Sequence, residues 1–142
     1  MTAEEMWRSC RINGEYQAWS FGGEPDKLAD LVKNGIKTAT CSALVFYEND
    51  GEAMPKTGDH SVILDSNGDA VCVIRTKKVY IEEFGRVSED HAFKEGEGDR
   101  TLAYWRQVHE KFFTDELKTI GMSFDKSLKL VCEEFELVQA SI

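Results

Sequence analysis

No stretch of this sequence stays apolar long enough to cross a bilayer. No CxxC or HxxxH pair offers the short spacing of a zinc site, so no metal is expected. No run of lysine and arginine offers a grip on a phosphate backbone, and 26 acidic residues outnumber 17 basic ones for a formal net charge of −9. Affinity for long RNA or DNA comes mostly from phosphate neutralisation, so broad non-specific binding is disfavoured. A pocket for one nucleotide, or a local basic patch on an acidic body, stays open. Internal repeats, linkers and low-complexity stretches are absent too. Met1-Thr2-Ala3-Glu4-Glu5 is acidic where an export signal would be basic and then apolar, which points to the cytoplasm.

What remains is an ordinary globular composition, 42% hydrophobic and 30% charged over 142 residues, enough for one domain with one sizeable core. Cys10, Cys41, Cys72 and Cys132 stand singly. The last three lie among strand-like residues, where a free thiol behaves as a small buried hydrophobe. A disulfide framework does not suit such a chain.

The patterning predicts a helix over 3–13 closed by Gly14, then an aromatic, glycine-bearing loop or short strand over 16–23. Trp19 and Phe21 there suit either a core lid or the lining of a flat-ligand site. Pro25 and Gly35 bracket a second helix. The octapeptide from Gly35 to Ser42 follows and is expected to run into a strand through Ala43–Tyr47. Strands are expected at 61–65 and 70–80, joined by an Asn67-Gly68 hairpin turn. Ser88 caps a short helix, and Asp99 a long one to about Lys118 with Leu102, Trp105, Val108 and Phe112 as its buried stripe. A strand over 127–138 closes the chain. The order implies a single α+β domain, 1–142, around a small barrel.

Three residues have the chemical types for acid–base or nucleophilic work: Lys37, Thr40 and Glu95. On spacing alone, Lys37 reads as a surface side chain and Glu95 as part of a helix end. In a regular strand Lys37 and Thr40 would face opposite ways, so sharing a site requires an irregular backbone at Lys37. Thr38, Thr40 and Ser42 share parity and can line one face. His60, His91 and His109 are scattered and read as structural. On the long helix Trp105 belongs to the apolar stripe, which leaves Tyr104 and Arg106 freer to approach a ligand.

Gly35-x-Lys37-Thr38-x-Thr40, Gly58-Asp59 before a strand, His91-Ala92-x-x-Glu95 and the closing strand together resemble the ASCH domain, a branch of the PUA-like fold. Trp19-Ser20-Phe21-Gly22, Glu95-Gly96-Glu97-Gly98-Asp99 and Tyr104-Trp105-Arg106-x-x-His109-x-x-Phe112-Phe113 are similar to the longer bacterial form. The resemblance spans roughly Tyr16 to Val138. It implies a mixed β-barrel with peripheral helices and a cleft beside the octapeptide that binds a nucleoside, a nucleotide or short RNA, with no cofactor and no membrane partner. In the branch that removes an acyl group from N4-acetylcytidine it implies Lys37 as base, Thr40 as nucleophile and Glu95 as acid. Trp19, Phe21, Thr38, Ser42, Tyr47, Tyr104 and Arg106 are then the candidate substrate contacts. Ser42 stands where that branch carries an arginine. Other long-form members resemble ribonucleases, for which Lys37 with a hydroxyl or Tyr47 would handle the 2′-oxygen and phosphate. A non-catalytic RNA-binding module is a third reading.

Overall fold

A computed structural model describes residues 1–140. The elements in chain order are α1 (Ala3–Cys10), β1 (Gln17–Trp19), α2 (Pro25–Lys33), β2 (Ala39–Ala43), α3 (Leu44–Asp50), β3 (His60–Leu64), β4 (Ala70–Glu83), α4 (Glu89–Glu95), α5 (Leu102–Lys118) and β5 (Lys129–Ala140). The strands form one sheet in the order β1-β3-β4-β5-β2. β1 pairs with β3 in parallel, and the other neighbours are antiparallel. The α+β class therefore holds, with the barrel realised as a five-stranded half-barrel whose edges, β1 and β2, do not pair. Register shifts at Val73/Ile74 and Thr76/Lys78 bend the long β4 and β5 and curl the sheet.

Strand alternation buries β4 on both faces. Cys72 and Ile74 meet Ala29 and Val32 of α2, while Val73 joins Met6 and Trp7 of α1. A third cluster packs Trp105 and Phe113 of α5 and Ala92 of α4 against Leu130 and Cys132 of β5. Among the described residues no helix is long and apolar enough to cross a membrane.

Four local expectations need correction. The run after Ala43 is helix, not strand. Val45, Phe46 and Tyr47 favour a strand in isolation, but Val45 and Phe46 pack on the third cluster, and Gly51 ends the helix in a left-handed conformation at φ 66°. The first helix stops at Cys10, because Arg11 already adopts φ 56°. Thr101, not Asp99, caps α5: its hydroxyl accepts from the Tyr104 N–H, and it donates to Asp99 Oδ1 at 2.6 Å. The buried line of α5 runs through Trp105, Phe113 and Leu117, with Leu102, Val108 and Phe112 only partly covered. That line follows i, i+4 spacing, and the position it skips between Trp105 and Phe113 is His109.

Candidate active site

Lys37 and Glu95 are both buried, at 2% and 1% exposure. Backbone bonds explain how they meet. The N–H groups of Ile36 and Lys37 both donate to the Leu31 carbonyl and close α2, so Lys37 precedes β2 and escapes strand alternation. The Thr38 N–H then donates to the Lys94 carbonyl at 2.7 Å, tying this turn to the end of α4. Gly96 permits the approach: its φ is 74°, and a Cβ there would lie 2.6 Å from the Ile36 carbonyl oxygen. At Gly98, φ 58°, a Cβ would lie 2.3 Å from the Tyr104 ring. Between these two glycines Glu97 is turned towards the same lysine.

The resulting cluster is dense. Lys37 Nζ lies 3.2 Å from Glu95 Oε1, 3.3 Å from Glu97 Oε2 and 3.4 Å from the Glu95 carbonyl oxygen. Glu95 Oε2 accepts from Trp105 Nε1 at 2.8 Å and from His91 Nε2 at 2.7 Å, while Oε1 lies 3.4 Å from His109 Nε2. His91 Nδ1 meets the Tyr80 hydroxyl at 3.1 Å, and burial keeps that phenol protonated as a donor. His109 stacks on Trp105 with centroids 4.4 Å apart and donates through Nδ1 to the Trp105 carbonyl at 2.9 Å. Its Nε2 therefore faces carboxylates.

The ionisation follows from these neighbours. Burial opposes the charge on Lys37, but Glu95 and Glu97 outweigh it, and the pKa stands above the usual lysine value. Burial pushes Glu95 up, yet Lys37, His109 and His91 together hold it well below the usual carboxylate range. Burial likewise opposes charge on His109, and its bond to Glu95 reverses the sign, raising its pKa. At rest, then, the expected base carries its proton and the expected acid has lost its own. Cys41 is no resting nucleophile, because burial and the Glu95 charge push its thiol well above normal.

Two triads, Cys41–His91–Glu95 and Glu95–Glu97–His109, bring potential ligand atoms within 4.8 Å of one another. The first offers a protonated thiol, and the Lys37 ammonium already bridges the carboxylates of the second.

Of this cluster, Lys37, Glu95, Glu97 and His109 line a small cavity of about 180 Å³ together with Phe21, Thr40 and Phe112. Beside it opens a larger cavity of about 720 Å³, walled by Trp19, Phe21, Tyr47 and Phe112 and floored by strand residues including Thr40 and Ser42. Thr40, Cys41, Phe21, Gly22 and Phe112 border both. Ser42 and Tyr47 share a hydroxyl–hydroxyl bond of 2.9 Å where the related branch carries arginine. Three expected contacts fall elsewhere. Thr38 is spent on the Lys94 carbonyl, Tyr104 packs over Gly98, and Arg106 points out at the Gly85 carbonyl, so none lines either cavity.

Sequence reading missed His91, His109, Glu97, Trp105 as a hydrogen-bond donor, and Glu133. Three of these had a signal: His91–Glu95 and Trp105–His109 are i, i+4 pairs, neighbours on one helix face.

No curated protein matches the chain. A sequence model of the ASCH domain matches residues 17–139. The ASCH domain crystal structure from Lactobacillus crispatus JV V101 is 30% identical, with a TM-score of 0.89, covering 96% of this chain and 93% of that one. A protein of Enterococcus faecalis V583 is 36% identical, with a TM-score of 0.88 over 96% and 88% of the two chains. The chain accordingly belongs to the ASCH domain family, whose PUA-like fold is often linked to RNA binding.

Proposed function

We propose that the protein hydrolyses the amide of an N4-acylated cytidine-type nucleoside, with Lys37, Thr40 and Glu95 as the catalytic residues. One observation carries the reading: Thr40 borders both an aromatic-walled cavity and the cavity holding the Lys37–Glu95 pair. The ring occupies the larger space, the acyl group the smaller, and the scissile bond lies at Thr40. Among the described residues no lysine or arginine lines the larger cavity, which favours a ligand without phosphate there.

The resting ion pair is one proton transfer from its working form. Moving that proton from Nζ to the carboxylate, across 3.2 Å, leaves an amine and a carboxylic acid. The amine takes the Thr40 hydroxyl proton as Oγ1 adds to the acyl carbon, and the ammonium so formed stabilises the oxyanion. Glu95 gives its proton to the departing nitrogen, the C–N bond breaks, and cytidine leaves. Water then splits the acyl-threonine, returning a proton to Oγ1 and releasing the carboxylic acid.

The test is to incubate the protein with N4-acetylcytidine and, separately, with labelled single-stranded RNA. Cytidine should accumulate, and Lys37→Ala or Thr40→Ala should slow it by about 10²-fold or more. Intact acetylcytidine with cut RNA would replace this reading by the ribonuclease, and RNA binding without turnover of either would replace it by the non-catalytic module.

A further inference from the structure

The floor of the larger cavity carries polar groups that the reaction above does not use. Ser61 on β3 and Thr76 on β4 are 6% and 3% exposed, and neither hydroxyl bonds to any protein group among the described residues. No side-chain nitrogen or oxygen there is both sealed and unpartnered, so the two hydroxyls open into the cavity they line. Glu133 of β5 lies on the same floor. The three reach the cavity from β3, β4 and β5 without being direct partners, since Ser61 stands opposite Ile74, Thr76 opposite Phe135 and Glu133 opposite Val79; on its other side Glu133 is paired with Thr40 of β2. Residues so paired project from one face with Cβ atoms roughly 5 Å apart.

Glu133 sits among acids. Asp59 before β3, Glu52 after α3 and Glu116 of α5 line the same cavity, with the phenol of Tyr47 from α3 and the thiol of Cys41 from β2. Among the described residues no basic side chain lines the cavity beside it. Burial, and then the Asp59 charge, push its carboxyl up to about 7. A carboxyl that still holds its proton presents O–H beside C=O, one donor next to one acceptor. Its complement is a ring edge with an N–H next to a lone-pair nitrogen. Cytosine carries that edge at N4–H and N3, and an N4-acyl group leaves the N4–H in place.

We propose that Glu133, in its protonated form, reads the N4–H/N3 edge of a cytosine-type base, with Ser61 and Thr76 completing the polar floor beneath the ring. The assignment rests on the reading above and deepens it: the group that recognises N4 stands directly across the sheet from the hydroxyl that attacks the acyl carbon on N4.

Cytidine, which cannot be hydrolysed, tests this by calorimetric titration. Its affinity for the unaltered protein should fall about tenfold between pH 6 and pH 8, as a group of pKa about 7 ionises. Glu133→Gln keeps one donor and one acceptor and cannot ionise. It should bind at both pH values about as tightly as the unaltered protein does at pH 6. Glu133→Ala should bind weakly at both, and Thr76→Val should lower affinity without removing the pH dependence. Affinity independent of pH in the unaltered protein, or Glu133→Gln binding as poorly as Glu133→Ala, would overturn the assignment. pH-linked cytidine binding by a protein inert towards N4-acetylcytidine would overturn the hydrolase reading alone. Deacylation alongside pH-independent cytidine binding would overturn only the role of Glu133.

Discussion

Lys37 is the residue on which the cluster balances. Replacing it with methionine keeps the volume but leaves Glu95 and Glu97 without their cation, and breaking a buried pair in this way costs about 3–5 kcal/mol. Urea denaturation at pH 7 should show that loss, and it should shrink towards pH 4 as the carboxyls of the variant protonate. In the unaltered protein the signs are opposed. Glu95, lowered in the fold, contributes stability that is present above the usual glutamate pKa and lost as pH falls through its folded value. His109, raised in the fold, contributes stability that is full below the usual histidine pKa and lost as pH rises through its own. A pH series of denaturation midpoints should therefore peak in the weakly acidic range, and His109→Asn should flatten its alkaline side. The residue types of Lys37, Thr40 and Glu95 were legible in the sequence. Their ionisation was not, because it is set by partners as distant as the 58 residues between Lys37 and Glu95.

At the scale of elements, the turn after α4 does the positioning. Gly96→Ala combines a left-handed backbone with a near-contact at the Ile36 carbonyl, so either the turn or the entry to β2 must shift. The expected outcome is a loss of about 1–3 kcal/mol and, more tellingly, a fall in N4-acetylcytidine turnover larger than that of Gly121→Ala, whose Cβ would meet nothing. Most elements could be read from turn chemistry: Pro25, Asn67-Gly68 and Ser88 each mark a boundary the structure keeps. Two could not. Val45-Phe46-Tyr47 has strand propensity that tertiary packing overrides, and the stripe of α5 is interrupted because the position between Trp105 and Phe113 on its inward line is a partly buried histidine. His109 broke the apolar pattern because it belongs to the site.

Across the whole molecule, the acidic surplus and the acid-lined cavity make one prediction. Cytidine affinity should change less than about twofold between 50 and 300 mM salt, since no phosphate contact releases counterions. Under the same conditions a long single-stranded RNA should show weak binding that salt abolishes. A steep salt dependence for cytidine would mean that a charged contact has been overlooked. The fold was legible at this scale because the order of the elements constrains it strongly. The resemblance implied a cleft beside the octapeptide but not its division into two cavities, since both arise where β2, α5 and the aromatic loop around β1 converge, and no local pattern encodes that convergence.

The two cavities draw on different parts of the chain. Lys37, Glu95, Glu97 and His109 come from the α2–β2 turn, the end of α4, the turn that follows it, and α5, whereas Ser61, Thr76 and Glu133 come from the sheet. Thr40 stands where the two groups meet. Inheritance can therefore act on them separately. A descendant can exchange the floor residues and turn to a different ring while keeping its reactive end, or lose the reactive end and persist as a binder. Paralogues that took the first route should differ most at positions matching 61, 76 and 133 and least at those matching 37, 40 and 95, and those that took the second should show the reverse.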